Sequence, residues 1–193
     1  MKKLLLISLI LLQSTYSFAH EGHEHNKEKV SKDMQHAEKH MKGVPESIKK
    51  YFKGGEVSLE HRVLSKDQIK NIEKDSGSKP DDYFHTFVAV GLKNGKKTQL
   101  GAATVVKPKG TDIEFALVYD SHLEIKDIIE IKNTDKIKNL LPELKGKGHH
   151  DSFIIGKDIK KSDKDVKLDE KVLKSVKLDV FIMQTLWGKP HKH

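Results

Sequence analysis

Alternating apolar and polar side chains between residues 83 and 132 predict four successive β-strands. The first is rich in aromatic and β-branched residues and is followed by Asn94-Gly95, a strong signal for a two-residue hairpin turn. Pro108 and Asp120 mark the next two turns. Because connections this short join antiparallel neighbours, we expect a meander sheet. The predicted strands are Tyr83 to Leu92, Leu100 to Lys107, Asp112 to Tyr119 and Ile125 to Lys132.

Besides a short helix from Ser31 to Met41, two helices are predicted before the sheet. Pro45 suits the first turn of the earlier one, which stops at Gly54-Gly55. The later one opens with Ser65-Lys66-Asp67-Gln68, a capping box in which the serine oxygen accepts the glutamine amide and the glutamine side chain reaches back. Gly77 supplies a left-handed end to this helix. The apolar residues of the two helices are Ile48, Phe52, Ile69 and Ile72.

Two further helices are predicted after the sheet. Thr134 could cap a helix that reaches Leu144, with a kink or restart at Pro142 because proline has no amide hydrogen. The last helix should run from about Asp169 to Leu186, with its core face formed by Val172, Leu173, Val176, Val180 and Phe181. Strands followed by helices indicate the α+β class. We therefore expect an antiparallel meander sheet packed by helices, with a flexible His-rich N-terminal extension.

Residues 1–19 have the parts of a secretory signal peptide. Lys2 and Lys3 precede an apolar run from Leu4 to Leu12, and small residues lie before the expected cleavage point after Ala19. The run is shorter than the roughly 20 residues that a transmembrane helix needs, and the chain has no cysteine that could carry a lipid. We expect an exported protein, periplasmic or secreted.

The expected organisation is therefore a signal peptide at 1–19, a His-rich extension with short helices at 20–55, one α+β domain at 56–188 and a polar tail at 189–193. The absence of cysteine means that the exported fold must stand without disulfides.

The net charge of +8 comes almost entirely from lysine, because Arg62 is the only arginine. Bidentate recognition of guanine or phosphate favours arginine over lysine. The lysines are also spread along the chain and interleaved with acidic residues. We therefore expect a solvated, lysine-rich surface and no nucleic-acid partner. The sequence shows no nucleophile–base–orienter set and no phosphate-binding loop, which favours a binding or electron-transfer protein over a stand-alone catalyst.

A series of short motifs follows in order between Leu64 and Val176. They are Leu64-Ser65, Gly101-Ala102-Ala103, Ile113 to Asp120, Ile125 to Ile131, Leu140 to Lys147 and Ile155-Gly156-Lys157-Asp158-Ile159. The series resembles the FMN-binding domain family, which includes the periplasmic C subunit of the sodium-translocating quinone reductase and the G subunit of the Rnf electron-transport complex. The resemblance implies an α+β domain in a redox setting, with FMN as cofactor and a membrane electron-transport complex as partner.

The segment after Ile159 departs from this family at the residue that would hold the flavin. In flavinylated members a Ser-Gly-Ala-Thr segment follows, and its threonine forms a phosphoester with FMN. The threonine position falls here near Val166 or Lys167, which have no hydroxyl group, and Ser162 comes too early. Leu123 also stands where the family usually has glycine. The resemblance therefore implies no covalent flavin; noncovalent FMN, or a domain that has lost its flavin and only docks to a partner, are the alternatives.

A cluster of histidines precedes the predicted domain: His20, His23, His25, His36 and His40. His36 and His40 are four residues apart, so on a helix they share a face and could chelate one ion. His20 could bind copper through its ring and its amine if cleavage follows Ala19. Because imidazole suits copper, zinc and nickel, the alternative function is a periplasmic His-rich metal-binding protein. A solvated tail would have the same composition, and His61, His85 and His122 carry no signal individually.

Overall fold

The computed structural model describes residues 43–160 and 165–188. Its strands form one antiparallel sheet in the order β1-β2-β3-β4-β5. The predicted α+β class and meander are confirmed; residues 20–42 of the His-rich extension lie outside the described residues. The elements are α1 (Glu46–Tyr51), β1 (Glu56–Val63), α2 (Lys66–Ser76), β2 (Tyr83–Lys93), β3 (Lys96–Val106), β4 (Glu114–Tyr119), β5 (Ile125–Lys132), two 3₁₀ turns (Thr134–Ile137 and Leu141–Leu144) and α3 (Val166–Trp187).

The sheet has one strand more than the four that the sequence predicts. The additional strand, β1, pairs with β2 from Glu56 opposite Val90 to Val63 opposite Tyr83. Half-buried and exposed residues follow one another along β1, and no residue of it is fully buried. An edge strand of this kind needs only a weak apolar pattern, because it has a neighbour on one side and is partly solvated.

The predicted start and end of α2 are both confirmed. The Ser65 hydroxyl oxygen accepts the Gln68 amide at 3.2 Å, and the Gln68 side chain accepts the Ser65 amide at 2.9 Å. Gly77 ends the helix with φ of 75°, a conformation that glycine adopts without a Cβ clash. These local signals fix the helix boundaries independently of the rest of the fold.

The prediction of one helix from Thr134 to Leu144 is wrong, because the segment forms two separate 3₁₀ turns. The Thr134 hydroxyl donates to the Glu130 carboxylate and does not cap a helix. Pro142 interrupts the amide series, which stops an α-helix from continuing through it. The apolar residues expected to face the core are nevertheless buried, namely Ile137, Leu140, Leu141 and Leu144.

Each face of the sheet is covered by a different helix. On one face, which we call the α3 face, Val172 and Val176 are fully buried against strand residues such as Phe115. On the other, the α1 face, Ile48 and Phe52 pack on Ala103, Ala116 and Val118. The short segment that the sequence assigns to the extension therefore contributes core residues. Within residues 43–160 and 165–188, no helix has the length and apolar character needed to cross a bilayer.

Candidate ligand-binding groove

A groove of about 820 Å³ lies across the end of β4, where the chain turns towards β5. This volume falls within the roughly 300–1,000 Å³ typical of small-molecule sites. Helix α1, the β3 strand, the turn after β4 and the end of α3 all contribute to its walls. Its principal apolar and aromatic side chains are Tyr51, Phe52, Leu100, Tyr119, Leu123, Met183 and Trp187, and its polar ones are Lys53, Gln99, Asp120, Ser121 and Lys126.

Two β-bulges open the sheet at this groove. In β3, Ala89 pairs with Gly101 and Val90 with Gln99, so Leu100 is the additional residue. In β5, Val118 pairs with Asp127 and Tyr119 with Ile125, so Lys126 is the additional residue. A bulge interrupts the regular alternation of side chains and increases the local twist. Leu100 and Lys126 both line the groove as a result.

Three glycines make room for the apolar wall. A Cβ atom on Gly101 would lie 3.0 Å from the Phe52 ring, so the ring can pack directly on the β3 backbone. Cβ atoms on Gly55 and Gly91 would lie 2.7 and 2.8 Å from Leu100 Cδ1. The Leu100 side chain therefore occupies space that these residues leave empty. The glycine in the Gly101-Ala102-Ala103 motif has a packing role at the groove.

The turn after β4 is held in an unusual conformation. The Asp120 carboxylate accepts the backbone amides of His122 at 2.8 Å and Glu124 at 3.1 Å. Leu123 has φ of 63°, a region that glycine enters freely and that costs a bulky residue roughly 1–2 kcal/mol. Leu123 stands where the resembled family usually has glycine. Its side chain lines the groove and packs on the core, which offsets this cost.

Trp187, the only tryptophan of the chain, closes the groove at the end of α3. The Arg62 guanidinium carbon lies 5.6 Å from the centre of its ring, and the Phe84 ring centre lies 6.4 Å away. Contacts of this kind from β1 and β2 orient the indole. Lys53 and Lys126 are both exposed at the rim, where they provide positive charge.

A buried carboxyl group lies directly beneath the groove. Asp179 on α3 is 6% exposed and accepts the Thr104 hydroxyl at 2.6 Å and the Tyr119 hydroxyl at 3.4 Å. Burial raises the pKa of Asp179 to about 7, although both hydrogen bonds act to lower it. Burial, together with the nearby Asp179 charge, also raises the pKa of Tyr119 well above its usual value. Tyr119 therefore links the wall of the groove, through a hydrogen bond, to the Asp179 carboxyl group, whose pKa is about 7.

Sequence reasoning missed Asp179, although a signal was present. Val172, Val176, Asp179 and Met183 recur at helical spacing on the core-facing side of α3. An aspartate within such an apolar stripe indicates a buried carboxyl group that must find partners in the core. The partners themselves could not be predicted, because Thr104 and Tyr119 come from two different strands.

The last motif of the series, Ile155-Gly156-Lys157-Asp158-Ile159, forms a tight turn. The Asp158 carboxylate accepts the Ser152 hydroxyl and the amides of Phe153 and Ile154. Gly156 has φ of 85° within this turn. Burial raises the pKa of Asp158, but the hydrogen bonds outweigh burial and hold it at about 2. This aspartate organises the turn.

Val166 and Lys167, the positions where the flavinylation threonine is absent, are exposed residues at the start of α3. Seventeen residues separate Val166 from Met183 in the groove, which corresponds to roughly 25 Å along a helix that rises 1.5 Å per residue. The structure therefore does not bring the groove together with the positions at which the flavinylation threonine of the resembled family is absent. A flavin attached at Val166 or Lys167 would not occupy this groove.

The histidines proposed for metal binding, His20, His23, His25, His36 and His40, lie outside the described residues, so that hypothesis stays a prediction. Within residues 43–160 and 165–188, no group of three or more histidine, cysteine, aspartate or glutamate side chains is placed to hold a metal ion. His61 and His85, which carried no signal individually, are neighbours in space.

Comparison with known proteins adds no relative: no family model, no curated protein and no solved structure matches the chain. The fold and the groove together define an α+β domain with a ligand-sized groove at the end of its sheet.

Proposed function

We propose that this domain is a binding module that holds a flat, anionic small molecule noncovalently in the groove, and that FMN is its ligand. The sequence resemblance suggests FMN, and the composition of the groove supports a ligand of that kind. The main observation is that Tyr51, Phe52 and Trp187 line the same opening as two lysines. Aromatic walls suit a flat ring system, and a few polar groups at the rim orient it.

Lys53 and Lys126 would hold the phosphate of this ligand. Each is an exposed charge on a flexible stem, and lysine binds phosphate as a point charge. Among the described lining residues, the carboxylate of Asp120 is engaged with two backbone amides, so its charge is partly compensated. Export, as expected from residues 1–19, would place such a module beside a membrane electron-transport complex as an accessory or carrier protein.

Trp187 fluorescence provides a direct test, because the single tryptophan lies in the groove. We expect FMN to quench it saturably, beyond the quenching of a free tryptophan derivative at the same absorbance. Substituting Lys53→Ala and Lys126→Ala together should weaken FMN binding by about tenfold, since each exposed charge pair contributes up to about 1 kcal/mol. Riboflavin, which lacks the phosphate, should bind wild type and double variant equally.

The matched control is Lys109→Ala, which removes an exposed lysine from the turn between β3 and β4, at the other end of the sheet. This variant should bind FMN as wild type does. Quenching no greater than that of the free tryptophan derivative would refute FMN as the ligand. Equal FMN affinity in wild type and the double lysine variant would refute the assigned role of the rim.

A further inference from the structure

We propose that His61 and His85 form a two-histidine site for a divalent transition-metal ion, with Cu²⁺ as the ion that it binds most tightly. The two residues are direct cross-strand partners in β1 and β2. His61 Nδ1 and His85 Nε2 are 3.1 Å apart, and the ring centres are 4.9 Å apart. The pair lies on the sheet itself, so regular strand geometry fixes the separation of the two side chains.

The separation of the two nitrogens suits a shared metal ion. A metal held 2.0–2.1 Å from each of two imidazole nitrogens, at an angle of 90–109°, places those nitrogens about 2.8–3.4 Å apart. The observed 3.1 Å lies within this interval. Binding would replace the contact between the rings with two metal bonds, and would require rotation of the side chains without movement of the strands.

The surroundings make the site open and the bound ion exchangeable. His61 is exposed, so water can occupy the remaining coordination positions. The Glu60 carboxylate is paired with Arg62 at 2.9 Å, and both side chains lie on the opposite face of β1 from His61, because side chains alternate along a strand. The Tyr83 ring stacks on His61 with its centre 5.2 Å away. Two imidazole ligands in water favour Cu²⁺ over Ni²⁺ and Zn²⁺, following the general order of divalent affinities.

The test must separate this pair from the histidines before Gly43, so it uses the full chain and a residue-specific signal. Cu²⁺ is paramagnetic and broadens NMR resonances only near its binding site. We expect substoichiometric Cu²⁺ to broaden the amide signals of Tyr83, His85 and their partners on β1. Variants His61→Gln and His85→Gln should each lose this broadening, because one remaining imidazole cannot chelate. His122→Gln, which removes an exposed histidine from the turn after β4, should keep it.

A second measurement follows thermal unfolding. An ion that bridges β1 and β2 binds only the folded sheet, so excess Zn²⁺ should raise the thermal midpoint of the wild-type chain, and His61→Gln should abolish that rise. Broadening of β1 and β2 signals that persists in both histidine variants would overturn the proposal. Wild-type spectra in which Cu²⁺ broadens other regions only would also overturn it.

Discussion

Asp179 shows how one side chain can make the stability of this domain depend on pH. Its carboxyl group is held in the core by Thr104 and Tyr119, and burial raises its pKa to about 7. An aspartate in the unfolded chain has a pKa near 3.9. Between about pH 4 and pH 7 the folded protein therefore keeps a proton that the unfolded chain has released.

Because its folded-state pKa is raised, Asp179 stabilises the fold more at low pH than at high pH. The contribution of Asp179 is fully present below about pH 4 and is lost as the pH rises to about 7, at up to roughly 1.4 kcal/mol per pH unit. Asp179→Asn cannot ionise, so this variant should gain stability relative to wild type as the pH rises from about 4 to about 8, by a few kcal/mol in total. Urea unfolding across this range measures the difference.

Asp81→Asn is the matched control, because Asp81 is an exposed residue before β2. The control should follow the wild-type profile at every pH. If the free energies of unfolding of Asp179→Asn and wild type differ by the same amount at every pH, the pKa of Asp179 is the same in the folded and unfolded states, which would contradict this prediction.

At the scale of the element, Asp158 shapes the turn from Ser152 to Ile159. Asp158→Ala removes the acceptor of two backbone amides and one hydroxyl. We expect a loss of about 2 kcal/mol at neutral pH, since hydrogen bonds to a charged group typically contribute about 1.5–3 kcal/mol. Because the folded pKa of about 2 lies below that of the unfolded chain, this stabilisation is present above about pH 4 and is lost as the pH falls towards 2.

Chemical denaturation of Asp158→Ala, with Asp81→Ala alongside, measures this contribution. The control should unfold at the wild-type midpoint at neutral pH. A midpoint for Asp158→Ala equal to that of wild type would mean that water replaces the carboxylate without cost. A deficit that is the same at pH 3 as at pH 7 would mean that charge has no part in it.

The elements that were predicted correctly from the sequence are those whose boundaries are set by residues close together in the chain. The capping box at Ser65 and the left-handed Gly77 depend on neighbouring residues alone. The same holds for the Asn94-Gly95 turn, where both residues have positive φ. Strand β1 was not predicted because its own apolar pattern is weak, and it is its pairing with β2 that holds it in the sheet. The helix after Thr134 was misassigned because its apolar spacing suits 3₁₀ turns equally well once Pro142 interrupts it.

At the scale of the whole molecule, the groove could not have been predicted. Its walls come from α1, β3, the turn after β4, and α3, and its opening depends on bulges at Leu100 and Lys126. A bulge is a property of the pairing between strands, and no residue at either position signals one. The family resemblance instead placed the position of the flavinylation threonine at the start of α3, which is the opposite end of that helix from the groove.

A whole-molecule prediction follows from this separation. If the purified protein carries FMN, urea should release all of it, and gel filtration in urea should give a colourless polypeptide, because Val166 and Lys167 offer no oxygen for a phosphoester. Removing the urea in the presence of FMN should restore the bound flavin. Flavin that stays with the unfolded chain would instead reveal a covalent bond to some other residue.

The order of the strands has a consequence for how the protein behaves at high concentration. Within the described sheet β1 and β5 are the margins, where unpaired backbone groups could recruit a strand from another molecule and begin a fibril. Both margins carry charges of mixed sign, Glu56, Glu60 and Arg62 on one and Lys126, Glu130 and Lys132 on the other. Backbone hydrogen bonds from the segment at Gly146 and Lys147 also cover the beginning of β5. These margins should keep the protein free of amyloid-like assembly when it is crowded.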